Sequence, residues 1–172
     1  HSINTINNFI TRLRSSNITD SVIVKTNSYA SILIPTKHYQ KIQYFQAKPP
    51  LSTQFFKFIP INKTNSEFDF LVLSENGSTI GKGKYNTKFE SPLFSITVSD
   101  FAPLESFDIV LEPIRNIRAR ILSNLQISNI RDSDIIQVTY KSYNPVRAKT
   151  IINCFMNELI YQNLNDKREK AT

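Results

Sequence analysis

Asp134-Ile-Ile-Gln-Val-Thr-Tyr-Lys-Ser-Tyr-Asn-Pro-Val-Arg147, running on into Ala148-Lys-Thr-Ile-Ile-Asn-Cys-Phe-Met-Asn-Glu-Leu-Ile-Tyr-Gln-Asn-Leu164, joins the two periodicities from which folds are built. The first half alternates. Ile136, Val138 and Tyr140 fall on one side and Ile135, Gln137, Thr139 and Lys141 on the other, which predicts a strand. Asn144-Pro145 then sets a helix start, with Asn as N-cap and Pro at the first helical position, where its missing N–H costs nothing. Ala148, Ile151, Ile152, Phe155, Leu159 and Ile160 recur at three- and four-residue steps and make one apolar stripe. Beyond Leu164 the helix turns polar (Asn165-Asp-Lys-Arg-Glu-Lys170). A helix that outlasts its own apolar stripe reaches toward something outside its domain.

Working outward, the preceding segment reads as a helix opened by Glu112-Pro113. Its apolar face is Ile114, Ile117, Ile121, Leu122 and Leu125, with Arg115 and Arg118 on a flank and Arg120 further round. Gln126 to Ile130 and a polar turn at Arg131-Asp132-Ser133 connect it to the closing strand. Before that helix the chain is β-rich. Phe56, Phe58 and Ile61 mark one strand, Phe68 to Ser74 alternate, Thr79 to Tyr85 return, and Leu93 to Ser99 and Phe107 to Leu111 follow. Asn76-Gly77 predicts a tight hairpin with positive φ at both turn positions, and Asp100-Phe-Ala-Pro a turn. Residues 36–53 are the least patterned and read as a loop or irregular edge. Tyr29 to Pro35 is short and β-branched. Ile18 to Val24 fits a helix restarted by Asp20, or a short strand. Ile3, Ile6, Phe9, Ile10 and Leu13, with Ser2 as a cap, predict an N-terminal amphipathic helix. The element order fits α+β, or α/β with a meander, and the expected class is α+β: a mixed β-sheet, or β-rich insert of about 54–111, with N-terminal, central and long C-terminal helices packed on it. One domain is expected over 1–172, with a helix-strand-strand-helix segment at 112–170.

A chain of 172 residues with 40% hydrophobic and 20% charged content is that of a globular domain with a real core. No apolar run approaches the roughly 20 residues needed to cross a bilayer. No secretory leader is visible, and a start at His1 rather than Met reads as a processed or excised piece. The net charge of +7 invites an anionic partner. The basic residues are mostly scattered, however, and no zinc-finger spacing or aromatic-basic RNA motif is present. Cys154 is the single cysteine, which excludes an intrachain disulfide, and it reads as a small buried residue.

Chemistry-bearing patterns are sparse. Gly81-Lys-Gly83-Lys lacks the spacing of a phosphate loop and lies on a strand, so its glycines read as structural. His38 is the only internal histidine and has no patterned partners for a nucleophile-base pair. Asp69, Glu75, Glu90, Asp100, Glu105, Asp108 and Glu112 are spaced as solvated strand edges and caps rather than as a glycosidase pair. No catalytic, cofactor or metal site is predicted. The Arg115, Arg118, Arg120 cluster is the most distinctive polar feature, because Arg presents bidentate donors to an acidic partner.

The order of motifs resembles the periplasmic domain of the Wzz-type polysaccharide co-polymerases, the chain-length determinants. That family shows a helix, a strand, a polar turn, an "I-I-x-I-x-Y" strand, "x-x-x-P-x-x-A", then "I-x-N-x-x-x-x-x-Y". Here Ile121 to Ile127 supply the helix end and strand, and Ser133 to Tyr140 the second strand. Asn144, Pro145 and Ala148 supply the turn, and Ile152-Asn153 with Tyr161 the helix signature. Phe68 to Lys84 and Ser106 to Pro113 are similar to the β insert of the branch that carries a cytoplasmic tyrosine autokinase. At the other end Ile10, Leu13, Arg14 and Ser15 fit the family's "E-I-x-x-L-R-S-R" helix, but its Glu falls on Phe9 and its second Arg on Ser16. The family's first strand has no counterpart. The resemblance covers about two thirds of the chain, and residues 28–53 match nothing in it.

What the resemblance implies is a non-catalytic domain anchored in the bacterial inner membrane and facing the periplasm. Its parent would form a homo-oligomer and set the length of a surface polysaccharide together with a polymerase and an outer-membrane export protein. The polysaccharide itself would touch the assembly. The isolated chain would be monomeric or weakly associated. Arg12, Arg14, Arg115, Arg118 and Arg120 are the candidate oligomer or polymer contacts, and Asn144, Pro145, Ala148, Asn153 and Tyr161 the fold signature. Nucleic acid is not among the partners so implied. The rival reading from charge alone is a basic module for nucleic acid or another anion.

Overall fold

The computed structural model describes residues 7, 8, 10–12, 14–100, 105–133 and 135–171. The chain is α+β, and its strands pair only in antiparallel fashion among the described residues. It divides into two compact units. Residues 1–28 and 114–172 form a helical unit, and residues 29–113 form a β unit inserted between its two segments. The β region therefore begins well before residue 54.

In the helical unit, α1 spans Ser16–Lys25 and buries Ile18, Thr19, Val22 and Ile23 on one face. Its N-cap is Ser15, whose Oγ accepts from the Ile18 N–H at 3.4 Å; Asp20 does not restart the helix. The end of α1 is a Schellman turn. Asn27 sits at φ 52, the Ser28 N–H reaches the Ile23 carbonyl at 3.0 Å, and the Asn27 N–H reaches Val24 at 3.3 Å. Asn tolerates that left-handed conformation better than most side chains. Helix α2 (Ile114–Asn124) contributes Ile117 and Ile121 and leads straight into β9 (Leu125–Asn129). β9 pairs with β10 (Ile136–Tyr140), with Val138 opposite Ile127 and Tyr140 opposite Leu125. The expected alternation holds: Ile136, Val138 and Tyr140 are half-buried, while Gln137 and Thr139 are exposed.

Helix α3 runs unbroken over Pro145–Ala171. Ile151, Phe155, Glu158 and Leu159 are buried, one apolar ridge with a carboxylate set in it. Ile160, at the edge of the expected stripe, is 55% exposed. The helix packs on α1 and on β10, and from Lys167 to Ala171 every residue is exposed. Among the described residues no helix is long and apolar enough to cross a membrane. The N-terminal helix expected over 3–14 is helical at residues 7, 8 and 10–12. Ser2, Ile3, Ile6, Phe9 and Leu13 lie outside the described residues, as do Asp134 and the expected turn beyond Asp100.

The β unit holds two sheets. The larger has the order β1-β8-β3-β4-β5, formed by Ala30–Leu33, Phe107–Leu111, Gln54–Pro60, Phe70–Ser74 and Thr79–Gly83. The smaller has the order β2-β7-β6, formed by Ile42–Ala47, Phe94–Val98 and Phe89–Glu90. Period-two burial drives both: Phe94, Ile96 and Val98 on β7 and Phe107, Ile109 and Leu111 on β8 all point inward. Phe58 is stacked between Phe70 and Phe107, with ring centroids 4.3 and 4.5 Å away. Phe56 meets Phe94 at 5.0 Å and Phe70 meets Phe89 at 5.9 Å, so rings from the two sheets share one core. Such pairs contribute beyond their buried area, by about 0.5–1.5 kcal/mol each.

Two sequence expectations sharpen here. Of the loop or irregular edge expected over 36–53, the edge forms: a 3-10 helix at Thr36–Lys41 leads into β2, an outer strand whose pairing with β7 shifts register between Ile42 and Tyr44, and residues 48–53 have no regular structure. Only Ala47 of β2 is fully buried, so the strand carries little apolar contrast and is dictated by its neighbour. The Asn76-Gly77 hairpin has one positive φ, +85 at Gly77, and not two. The Gly77 N–H closes on the Ser74 carbonyl at 2.9 Å, and the Ser74 N–H reaches Ser78 at 2.8 Å. This is the longer hairpin form, a type I turn followed by a left-handed glycine.

Tyr85 stands apart in this core. Its ring packs 5.8 Å from Phe70, yet its buried hydroxyl has no partner among the described residues. Burial, reinforced by the charges of Asp69 and Asp100, pushes the phenol up from 10.0 to about 12. The folded chain thus holds that proton more tightly than the unfolded one. Its contribution is intact below pH 10.0 and is lost as the pH climbs toward 12. Tyr85→Phe is expected to leave stability at neutral pH unchanged or raise it by about 1–3 kcal/mol, since an unpartnered buried hydroxyl is removed. It should also flatten the alkaline loss of Tm up to about pH 11. Thermal unfolding across that range checks both; a clear loss at neutral pH would contradict the assignment.

Candidate functional site

The charge of the chain is partitioned by the fold. Thirteen of the 21 Lys and Arg but only six of the 14 Asp and Glu lie in the helical unit; the β unit holds the remaining eight of each. The entire +7 therefore belongs to the helical unit and the β unit is neutral. All eight arginines are in the helical unit as well. The candidate surface is consequently built by α1, α2, β10 and α3.

The five arginines singled out from the sequence do not form one patch. Arg118 lies on the flank of α2 facing α1, and its Nε and Nη2 each donate at 2.7 Å to the two carboxylate oxygens of Asp20. Both side chains are 35% exposed. The hydrogen bond to Asp20 raises the guanidinium above its ordinary value, against a smaller opposing effect of burial. Arg14 reaches from the approach to α1 to the Leu125 carbonyl at 3.0 Å, capping the end of α2. These two are internal staples of the helical unit. Arg12, Arg115 and Arg120 are exposed.

Arg147 is a further arginine of the helical unit, outside the five singled out above. It sits in the first turn of α3 and donates to the Ser28 carbonyl at 3.3 Å. Burial raises the Tyr140 phenol, and the positive charges of Arg147 and Arg120 partly offset that rise. Tyr140 thus feels the positive charge of one arginine from α2 and one from α3. Beside it Tyr143 is fully exposed and Val146 is 76% exposed. Counting charge by unit would have revealed this concentration, but the count requires knowing that the β unit starts at Tyr29.

The signature residues divide by role. Asn144 is the N-cap: its Oδ1 accepts from the N–H groups of Val146 at 3.1 Å and Arg147 at 3.2 Å, and its carbonyl receives the Ala148 N–H at 3.0 Å. Pro145 is the first helical residue. Ala148 is half-buried, Asn153 is exposed and Tyr161 is 62% exposed, so the latter two are surface groups.

A second polar cluster lies deeper. Glu158, buried on α3, accepts a hydrogen bond from Lys25 Nζ at the end of α1. That bond raises the lysine, with burial pulling the other way. Cys154 is half-buried one turn back, and burial, then the charge of Glu158, push its thiol up. A thiol so placed is a poor nucleophile. Among the described residues no group of three or more His, Cys, Asp and Glu side chains could hold a metal ion. The chain matches no protein-family model and no curated protein.

The division between staple and surface can be measured. A double-mutant cycle on Asp20→Asn and Arg118→Gln is expected to return a coupling below about 1 kcal/mol at this exposure, but clearly above zero because the pair is bidentate. Arg115→Ala, on open surface, should stay within about 0.5 kcal/mol of the parent. Urea unfolding of the four chains and the control decides it; a null coupling would return Arg118 to the surface.

Proposed function

We propose that the chain is the non-catalytic, extracytoplasmic domain of a membrane-anchored polysaccharide co-polymerase, acting through assembly of its helical unit. The observation that supports this reading is the construction of that unit. Segments from both sides of the β insert close on each other through α1, α2 and α3, and α3 continues as an exposed polar helix for more than a turn past its buried ridge. A helix of that form suits a scaffold between anchors, in which the domain sets spacing and performs no bond chemistry. The parent's partners would be further copies of itself, a polymerase and an exporter. The exposed Arg115 and Arg120 of α2, and Arg12 ahead of α1, are the contacts proposed for a neighbouring copy or for the polymer.

The test is made in the membrane-anchored parent. Arg115→Glu with Arg120→Glu is expected to shift the length distribution of the surface polysaccharide and to weaken assembly, while Arg118→Gln acts only through stability. Unchanged polymer length together with unchanged assembly sinks the reading.

The partition of charge favours a second reading, a polyanion-binding module using the Arg120–Tyr140–Arg147 region. Its signature is a steep salt dependence of binding to duplex or single-stranded DNA, with log K falling by about 0.9 per phosphate contact against log salt on duplex. Absence of binding at low salt removes it.

A further inference from the structure

At one edge of the β unit, neutral overall, three lysines gather around a recess. β5 is the terminal strand of the larger sheet and β6 the terminal strand of the smaller, and the two are not paired with each other. Between them lies an open recess of about 410 Å³, within the roughly 300–1,000 Å³ usual for small-molecule sites. Lys82, Lys84 and Lys88 line it, against a single acid, Glu90. Phe68 and Phe89 supply its apolar wall.

The sequence of β5 explains the arrangement. A Cβ on Gly81 would stand 2.7 Å from the Phe89 ring, and one on Gly83 would collide with Phe70. The glycines therefore face the aromatic core, and alternation turns Lys82 and Lys84 to the other face of the strand. Lys82 Nζ stands 6.0 Å from the Phe68 ring and Lys88 Nζ 4.6 Å from the Tyr44 ring, positions in which the ring face attracts the ammonium. The Lys88–Glu90 pair is long, 3.8 Å, and exposed, so an incoming anion displaces little. Edge strands also leave main-chain donors and acceptors unpaired, ready for hydroxyl groups.

We propose that this seam binds a sugar-sized organic anion, with its carboxylate or phosphate on the lysines and a C–H face against the phenylalanine wall. A peptide adding a strand is the poorer occupant. β6 is only two residues long, and the β4–β5 ladder shifts register between Val72 and Leu73, which leaves no straight edge to extend. The site is in the β unit and stands independently of the assembly role of the helical unit.

The experiment is a titration of the isotopically labelled chain with glucuronic acid, glucose 6-phosphate and glucose, read by backbone amide shifts. Saturable shifts confined to residues 79–90 are expected with one or both anions and none with neutral glucose; the stronger anion identifies carboxylate or phosphate as the group bound. Lys82→Gln with Lys84→Gln should weaken that binding at least about tenfold, as loss of charge-assisted hydrogen bonds requires. These residues are exposed, and a matching unfolding curve verifies the fold; Lys63→Gln, elsewhere on the unit, should change nothing. No saturation at about 10 mM of either anion, where even a millimolar site fills, would overturn the proposal. So would equal shifts from acetate, which would make the seam an adventitious ion site, or binding that survives in the double variant.

Discussion

The ladder between β1 and β8 is the constraint on which the rest depends. Ala30 faces Leu111, Leu33 faces Asp108, and the Glu112 N–H closes on the Tyr29 carbonyl at 2.8 Å. Tyr29 opens the inserted β unit and Glu112 is the residue before its last, Pro113. Paired antiparallel strands hold opposite Cα atoms about 4.5–5.5 Å apart, so a long excursion of the chain leaves and returns at nearly one point. Without that zip, bringing α2 back to α1 would carry the loop-closure entropy of a long flexible insertion. With it, Arg118 can meet Asp20 and Arg14 can cap α2 across a large separation in sequence. The Schellman turn at Asn27 ends α1 immediately ahead of Tyr29 in the sequence. Within the β unit, Tyr29 Oη donates to the Ala47 carbonyl at 2.5 Å.

Seen this way, the two units divide the physical work. The β unit is an aromatic core under two antiparallel sheets, electrically neutral, with β1, β5, β2 and β6 as outer strands. The helical unit adds polar staples to its apolar ridges: Asp20–Arg118, Lys25–Glu158, and arginines donating to backbone carbonyls. A buried carboxylate such as Glu158 is tolerated only because its lysine partner is present.

How much of this was legible follows from where periodicity was strong. The α3 stripe, its Asn144-Pro145 start and the alternation of β7 and β8 could be read directly, because one face of each is buried and the other is not. The β2 strand could not, since Tyr44 and Phe45 lie among Gln and Lys and only Ala47 is buried; its partner strand decides it. Ser15 was overlooked as the cap of α1 in favour of Asp20, because both are cap-forming residues and only the Arg118 guanidinium, far away in sequence, settles which one is used elsewhere. The arginine cluster was visible as composition, but its separation into staples and surface is a property of pairing across the insert, which sequence distance conceals.

The partition of basic residues by type has a chemical consequence. Every positive side chain of the β unit is a lysine, whereas eight of the thirteen in the helical unit are arginines. Arginine stays protonated at any pH a protein survives, and it does not react as an amine. Acylating or cross-linking reagents directed at amines would therefore strip the β unit of all its side-chain cations, leaving its eight acids unbalanced. The helical unit would keep most of its own. The same chain thus carries one charge pattern that enzymes or reagents acting on lysine can rewrite, and another that they cannot reach.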